Sequence, residues 1–148
     1  MTITSPEMDA QRKAANDQAV EFVRLGYAGA SLDFRVHVTD LDTFTRCMDV
    51  IGGYNRFSGS EAGEAIGRIF GQLMSVDVGR ENSVVLYLYV PFWTQQRIVQ
   101  DGPNEPIPDW ARNELADRIR ALGKELHADE IDDQDFDGKP YCIRLWWD

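Results

Sequence analysis

The segment from Ser83 to Phe92 most constrains the fold, because its side chains alternate along almost its whole length. A period of two residues predicts a β-strand. Pro91 has no N–H to donate, so the strand is expected to end there or to lie near a sheet edge. Aliphatic residues form one face and mainly tyrosines the other: Val84, Leu86, Leu88 and Val90 against Val85, Tyr87 and Tyr89.

Two further segments alternate in the same way and predict half-buried strands. The first runs from Leu32 to Thr39 and sets Leu32, Phe34, Val36 and Val38 against Asp33, Arg35, His37 and Thr39. The second runs from Tyr141 to Trp147 and sets Tyr141, Ile143, Leu145 and Trp147 against Cys142, Arg144 and Trp146.

Three helices are predicted from capping residues and helical spacing. Ser5 is a suitable N-cap before Pro6, and that helix is expected to end near Leu25. A second helix follows Asp40 or Asp42 and stops at Gly52-Gly53. A third begins at Pro108-Asp109 and runs to about His127, with a buried stripe formed by Trp110, Leu115, Ile119, Leu122 and Leu126.

Residues 60–74 fit two interpretations. Apolar residues recur there at helical spacing, but glycine recurs every four residues, at Gly59, Gly63, Gly67 and Gly71. An interior glycine costs a helix about 1 kcal/mol relative to alanine. We therefore expect a strand from about Arg68 to Val78, after a short helix at most. A turn at residues 79–82 would then join it to the strand that begins at Ser83.

The predicted order of elements after the N-terminal helix is β-α-β-β-α-β. That order is typical of the ferredoxin-like α+β fold, a four-stranded antiparallel sheet with helices on one face. We expect residues 1–148 to form a single domain, with an N-terminal helix within residues 1–28 and an acidic loop at residues 129–139.

The charge of the chain restricts its partners. The net charge is −10, which disfavours direct binding to nucleic acid or to anionic membrane. No apolar run approaches the roughly 20 residues that span a bilayer. Cys47 and Cys142 are too few for a secreted disulfide framework, and no signal peptide is recognisable. A cytoplasmic protein with reduced thiols, which binds a basic protein partner, is therefore expected.

Half of the net charge lies in residues 129–148, which carry seven acidic residues against Lys139 and Arg144. Alternate carboxylates at Asp133, Asp135 and Asp137, followed by Gly138, resemble the start of a calcium-binding loop. The twelfth position of such a loop should be Glu and is Arg144. The alternative is a solvated acidic loop with a turn at Asp137-Gly138.

The second face of the predicted sheet is rich in aromatic and basic residues: Arg35, His37, Val85, Tyr87, Tyr89, Cys142, Arg144 and Trp146. Such a face stacks bases in RNA-recognition folds, but the acidic charge of this chain argues against that use. Either the N-terminal helix covers the face or a protein partner does, since Tyr, Trp and Arg are enriched at interface hot spots.

One stretch resembles the opening βα unit of the vicinal-oxygen-chelate, or glyoxalase-like, superfamily. It is Arg35-Val-His-Val-Thr-Asp-Leu-Asp, continued by Met48-Asp-Val-Ile-Gly-Gly, about 20 residues in all. The resemblance implies a metal-binding histidine early in the strand. Asp33 occupies the nearest position and His37 is displaced from it, so no metal site is transferred.

These features lead to the hypothesis of a non-enzymatic protein-binding module, of inhibitor or immunity type, that requires no cofactor. The alternatives are a small-ligand or cation-binding domain, glyoxalase-like or regulatory, and a structural subunit that forms a homo-oligomer. An enzyme would need an acid–base pair such as His37 with a carboxylate. The expected partner-binding residues are Tyr87, Tyr89, Trp146, Arg144, Asp132, Asp133 and Asp135, with Asp133, Asp135 and Asp137 as a calcium candidate.

Overall fold

Four helices and seven strands form along the described part of the chain, which in this computed structural model comprises residues 5–28, 32–93 and 105–148. The helices are α1 (Pro6–Ala28), α2 (Leu41–Ile51), α3 (Gly59–Gly67) and α4 (Asp109–Glu125). The strands are β1 (Phe34–Val38), β2 (Gly53–Tyr54), β3 (Phe57–Ser58), β4 (Ser75–Glu81), β5 (Ser83–Tyr89), β6 (Glu130–Phe136) and β7 (Lys139–Trp146).

Five of the strands form one sheet in the order β1-β4-β5-β7-β6, and every neighbouring pair is antiparallel. Strands β2 and β3 form a separate short hairpin. The mixed α+β class and the N-terminal helix are confirmed. The ferredoxin-like topology is not confirmed by this strand order, because that topology places its first strand in the centre of the sheet. Here β1 lies at one edge and pairs only with β4, and a fifth strand, β6, forms the other edge.

That fifth strand is the acidic segment, so the prediction of a loop at residues 129–139 is wrong for most of its length. Residues Glu130–Phe136 pair with β7 through a two-residue turn at Asp137 and Gly138. Both turn residues have positive φ, 54° and 74°, as a type I′ hairpin requires. The predicted Asp137-Gly138 turn is confirmed, and it is the element that brings the acidic strand onto the sheet.

Helix α1 begins as predicted. Ser5 accepts a hydrogen bond from the N–H of Met8 through its hydroxyl, 3.1 Å, and Pro6 is the first helical residue. The helix continues past the predicted end at Leu25 to Ala28. Gly26 therefore does not end it; this glycine lies against the ring of Phe34, where there is no room for a Cβ. The helix packs beside α2 and along β1, and its buried residues Val20 and Val23 belong to the main core.

The strand expected from about Arg68 to Val78 begins later than predicted, and the short helix allowed before it is present. Residues Gly59–Gly67 form α3, and a 3-10 turn follows at Phe70–Gln72. Close packing of α3 against α2 favours the helix despite its glycines. The N–H of Gly59 donates to the carbonyl of Gly52, 2.8 Å, and a Cβ at Gly59 would lie 2.1 Å from the carbonyl oxygen of Met48. The strand therefore starts only at Ser75 and extends to Glu81.

The main core lies between the helices and the aliphatic face of the sheet. It includes Phe44 and Met48 from α2, Ile66 from α3, Ile119 from α4, and the strand residues Val76, Val78, Leu86, Leu88, Ile143 and Leu145. Trp110 was expected in this core but is 69% exposed, because it lies in the first turn of α4 and outside the buried stripe.

Within the described residues, none of the helices combines the length and apolar character that crossing a membrane requires.

Candidate binding surface on the open sheet face

The second face of the sheet, called the open face below, forms around a separate small cluster of buried residues. Val85, Tyr87 and Cys142 are its buried members, with Tyr89 and Trp146 packed against them, and none of the five comes from a helix. The strand register places all eight predicted residues on this face, so their grouping is confirmed. The N-terminal helix lies beside α2 and does not belong to this cluster.

Asp77 on β4 organises one end of the open face. It lies directly opposite His37 in the strand register, and its carboxylate is 2.6 Å from Nδ1 of that ring. The hydroxyl of Tyr89 donates to the second carboxylate oxygen at 2.8 Å, and Nε of Arg35 lies 3.5 Å from it. The Asp77 side chain is only 9% exposed, so these groups supply the polar partners that a buried carboxylate needs.

Glu81 organises the other end. Its carboxylate accepts hydrogen bonds from the hydroxyl of Tyr87, 2.6 Å, and from Nε of Arg144, 2.9 Å. Its backbone carbonyl accepts a bond from the indole N–H of Trp146, 2.8 Å. One residue near the hairpin turn therefore fixes a tyrosine, an arginine and a tryptophan on the same face.

Arg144 joins Glu81 to the acidic strand. Its guanidinium also contacts Glu130 at 3.0 Å and Asp132 at 2.8 Å, and its side chain is 16% exposed. Burial opposes the charge on Arg144, but hydrogen bonds to Glu130 and Glu81 outweigh that effect and raise its pKa. Three carboxylates therefore surround one cation, and this part of the surface keeps an excess of negative charge.

The aromatic residues of the open face differ in exposure. Tyr87 is 6% exposed, because Arg35 lies over its ring at 4.3 Å from the centroid. Burial raises the pKa of Tyr87, and its bond to Glu81 adds to that rise. Tyr89 and Trp146 are half-buried. Tyr87 therefore positions Glu81, whereas Tyr89 and Trp146 have area available for contact.

The four carboxylates of β6 are not gathered at one point, because successive residues of a strand point to opposite faces. Asp132 contacts Arg144 on the open face, whereas Asp133 pairs with Arg120 of α4 through two bonds of 3.0 and 2.9 Å. A bulge between Gln134 and Asp135 then shifts the register of the last acidic residues. Within the described ranges, no group of three or more His, Cys, Asp or Glu side chains is arranged to hold a metal ion.

The remaining chemistry-bearing side chains are dispersed. Cys47 belongs to α2 and is buried in the main core, and burial raises the pKa of its thiol to about 11. Burial, with the nearby carboxylate of Asp77, raises the pKa of Cys142 to about 12. Strands β4 and β5 lie between the strand of His37 and that of Cys142. The pair of His37 with Asp77 is thus an acid–base pair without an activated thiol beside it.

Asp77 and Glu81 are the residues that sequence reasoning missed. Asp77 alternates with Val76 and Val78 in β4, and that alternation is the signal that could have placed it on the open face. Glu81 follows Arg80 at the end of the strand and has no such signal. Their partners are distant in sequence, since 40 residues separate His37 from Asp77 and 63 separate Glu81 from Arg144.

No protein-family model, curated protein or solved structure matches this chain.

Proposed function

We propose that this protein is a non-enzymatic binding module, of inhibitor or immunity type, that docks a basic protein partner on β6 and the adjoining end of the open face. The observation that carries the proposal is the coordination of Arg144 by Glu81, Glu130 and Asp132. A single cation held by three carboxylates leaves a fixed negative patch. A cytoplasmic location for the complex is part of the proposal.

Strand β6 supports this function by its position. It is the last strand of the sheet, and all of its residues except Ile131 are exposed. It carries Glu130, Asp132, Asp133 and Asp135, while Arg120 and Arg144 are its nearby cations. Such a concentration of charge attracts an oppositely charged partner over several ångströms and raises its rate of association.

The side chains beside β6 also support the proposed function, because hydrogen bonds already hold them in place. Trp146 is fixed by its bond to the Glu81 carbonyl, and Arg144 by its carboxylates. A side chain that is already ordered loses little conformational entropy when a partner binds. Trp146 lies opposite Glu130 in the strand register, so a contact area and the negative charge are adjacent.

The test is to identify a partner and then measure its association with a neutralised variant. Proteins retained from a lysate of the source organism at low salt, and released at high salt, would be identified by mass spectrometry. Association of the purified partner would then be measured by stopped flow with the triple variant Asp132→Asn, Asp133→Asn, Asp135→Asn. We expect a fall of about tenfold in the association rate at low ionic strength and a flatter dependence on salt.

The matched control neutralises three exposed helical carboxylates, Glu7→Gln, Glu61→Gln and Glu114→Gln. Both triple variants change the net charge from −10 to −7. If both slow association equally, overall charge and not β6 accounts for the attraction. The proposed docking on the acidic strand is wrong if neither variant slows association. It is also wrong if the proteins retained by the wild-type chain are not released at high salt.

A further inference from the structure

The opposite edge of the sheet, strand β1, differs from β6 in chemistry. It pairs on one side with β4, and within the described residues its backbone forms no backbone hydrogen bond with a third element. Its exposed side chains on the open face are Arg35 and His37, where β6 carries acids. An edge strand with unpaired N–H and C=O groups is a template for another strand.

A helix runs beside this edge. Four residues of α1, at the helical spacing i, i+3, i+4 and i+7, line a shallow groove of about 330 Å³ with two residues of β1; they are Ala15, Gln18, Ala19 and Phe22, with Arg35 and Val36. Phe22 is 55% exposed although its ring packs on Phe34 at 5.6 Å between centroids. This apolar stripe is distinct from the buried pair Val20 and Val23 that joins α1 to the core.

We propose that an extended peptide segment of a partner adds to β1 as a sixth strand, with alternating apolar and acidic side chains. Recognition by strand addition takes affinity from backbone hydrogen bonds and specificity from alternate side chains. The apolar side chains would contact Ala19, Phe22 and Val36 in the groove. The alternate side chains would lie beside Arg35 and His37 on the open face.

Charge complementarity selects an acidic segment over a second copy of this chain. The Arg35 guanidinium lies over the ring of Tyr87, and its Nε is 3.5 Å from the carboxylate of Asp77. The side chain is nevertheless 50% exposed and lines the groove, so its two terminal nitrogens present donors to an incoming acid. A symmetric pairing of two β1 strands would instead place Arg35 and His37 of one copy against those of the other. This surface lies at the far edge of the sheet from β6, so the proposal does not rest on the function proposed above.

The probes are dye-labelled ten-residue peptides with alternating valine and glutamate, or with alternating valine and lysine. Their binding to the full chain would be followed by fluorescence anisotropy. We expect the glutamate peptide to bind at least about tenfold more tightly than the lysine peptide, since each opposed charge pair across strands adds to the preference. Ala19→Trp, which fills the groove, should weaken binding at least tenfold, whereas Ala14→Trp, at an exposed position outside the groove, should not.

Hydrogen exchange on the wild-type protein provides a readout that does not depend on a variant. Added glutamate peptide should protect the amides of residues 33–39 and leave those of residues 130–136 unchanged. Protection at residues 130–136, equal affinity for both peptides, or no binding at millimolar peptide would overturn the proposal. So would protection of residues 33–39 by self-association of the protein alone.

Discussion

His37 and Asp77 face each other across β1 and β4, with Nδ1 of the histidine 2.6 Å from a carboxylate oxygen of the aspartate. The Asp77 side chain is 9% exposed, whereas the His37 side chain is 61% exposed. The pair therefore links a buried carboxylate to the surface. Tyr89 and Arg35 complete the environment of Asp77, so its removal affects several side chains at once.

Replacement of Asp77 should cost more stability than its single negative charge suggests. Asp77→Ala leaves the hydroxyl of Tyr89 without its acceptor and removes the partner of His37. A buried polar group left unsatisfied costs 1–3 kcal/mol, so we expect the free energy of unfolding in urea to fall by about 2 kcal/mol. Asp77→Asn, which keeps the size and one acceptor oxygen, should cost about half as much.

Asp49→Ala is the control for that experiment, because Asp49 is an exposed carboxylate on α2. A surface substitution of this kind is expected to change stability by less than about 0.5 kcal/mol. Equal stability of the Asp77→Ala and Asp49→Ala variants would show that the cluster around Asp77 contributes nothing.

Two glycines of α3 should respond to alanine in opposite directions. A Cβ at Gly59 would lie 2.1 Å from the carbonyl oxygen of Met48, a backbone atom that cannot move aside easily. At Gly67 the nearest neighbour is a Leu41 methyl at 3.5 Å, an ordinary contact. Gly59→Ala should therefore destabilise the protein by about 2 kcal/mol or more. Gly67→Ala should stabilise it by up to about 1 kcal/mol through helix propensity.

Thermal unfolding followed by circular dichroism would measure both variants. Gly71→Ala is a neutral reference, since a Cβ there would meet no described atom within 4 Å. A stable Gly59→Ala variant would mean that α2 and α3 are not packed as closely as the structure places them.

The strands with strict alternation were predictable because one of their faces is buried and the other is distinct. For β5 and β7 the assignment of residues to the aliphatic face is correct for Val84, Leu86, Leu88, Val90, Ile143, Leu145 and Trp147, which all lie in the main core. Tyr141 was assigned to the same face but is exposed, and its ring packs against that of Tyr89. Sequence reasoning placed the start of β4 too early, at about Arg68 and not at Ser75, because the low helix propensity of glycine limited the preceding helix to a short one at most. The contact of Gly59 with Met48, eleven residues earlier in the chain, outweighs that propensity, and propensity scales do not contain it.

The prediction that the acidic segment is a loop was wrong for a related reason. Four carboxylates in seven residues repel one another in an isolated strand, and the strand itself contains no cation to offset them. In the folded protein Arg120 pairs with Asp133 on one face of β6, and Arg144 pairs with Asp132 on the other, so part of the repulsion is offset. Arg120 comes from a helix, and Arg144 lies 12 residues from Asp132, so tertiary structure supplies both cations. The grouping on the open face was predictable from alternation, but the cluster of Glu81, Tyr87 and Arg144 was not.

Stability should fall as the pH rises above about 9. The thiols of Cys47 and Cys142 have folded-state pKa values raised by burial to about 11 and about 12, from a value of 9.0. Above pH 9 the unfolded chain loses these protons while the folded protein retains them, so deprotonation favours unfolding. The stability that the two protonated thiols contribute is present in full below pH 9 and is lost as the pH rises through 11 and 12. Burial also raises the pKa of Tyr27 and Tyr89, which adds to the slope at higher pH.

Urea unfolding at intervals of half a pH unit from 8 to 11 would measure this dependence. Each thiol contributes at most about 1.4 kcal/mol per pH unit to the slope. The variant Cys47→Ala, Cys142→Ala should be less stable at pH 8 because of lost packing, but its stability should decline less steeply from pH 9 to 10. The difference in slope isolates the thiols, since the tyrosines are common to both proteins. Parallel slopes would show that the two thiols titrate alike in the folded and unfolded chains, which would contradict the effect expected from the burial of both side chains.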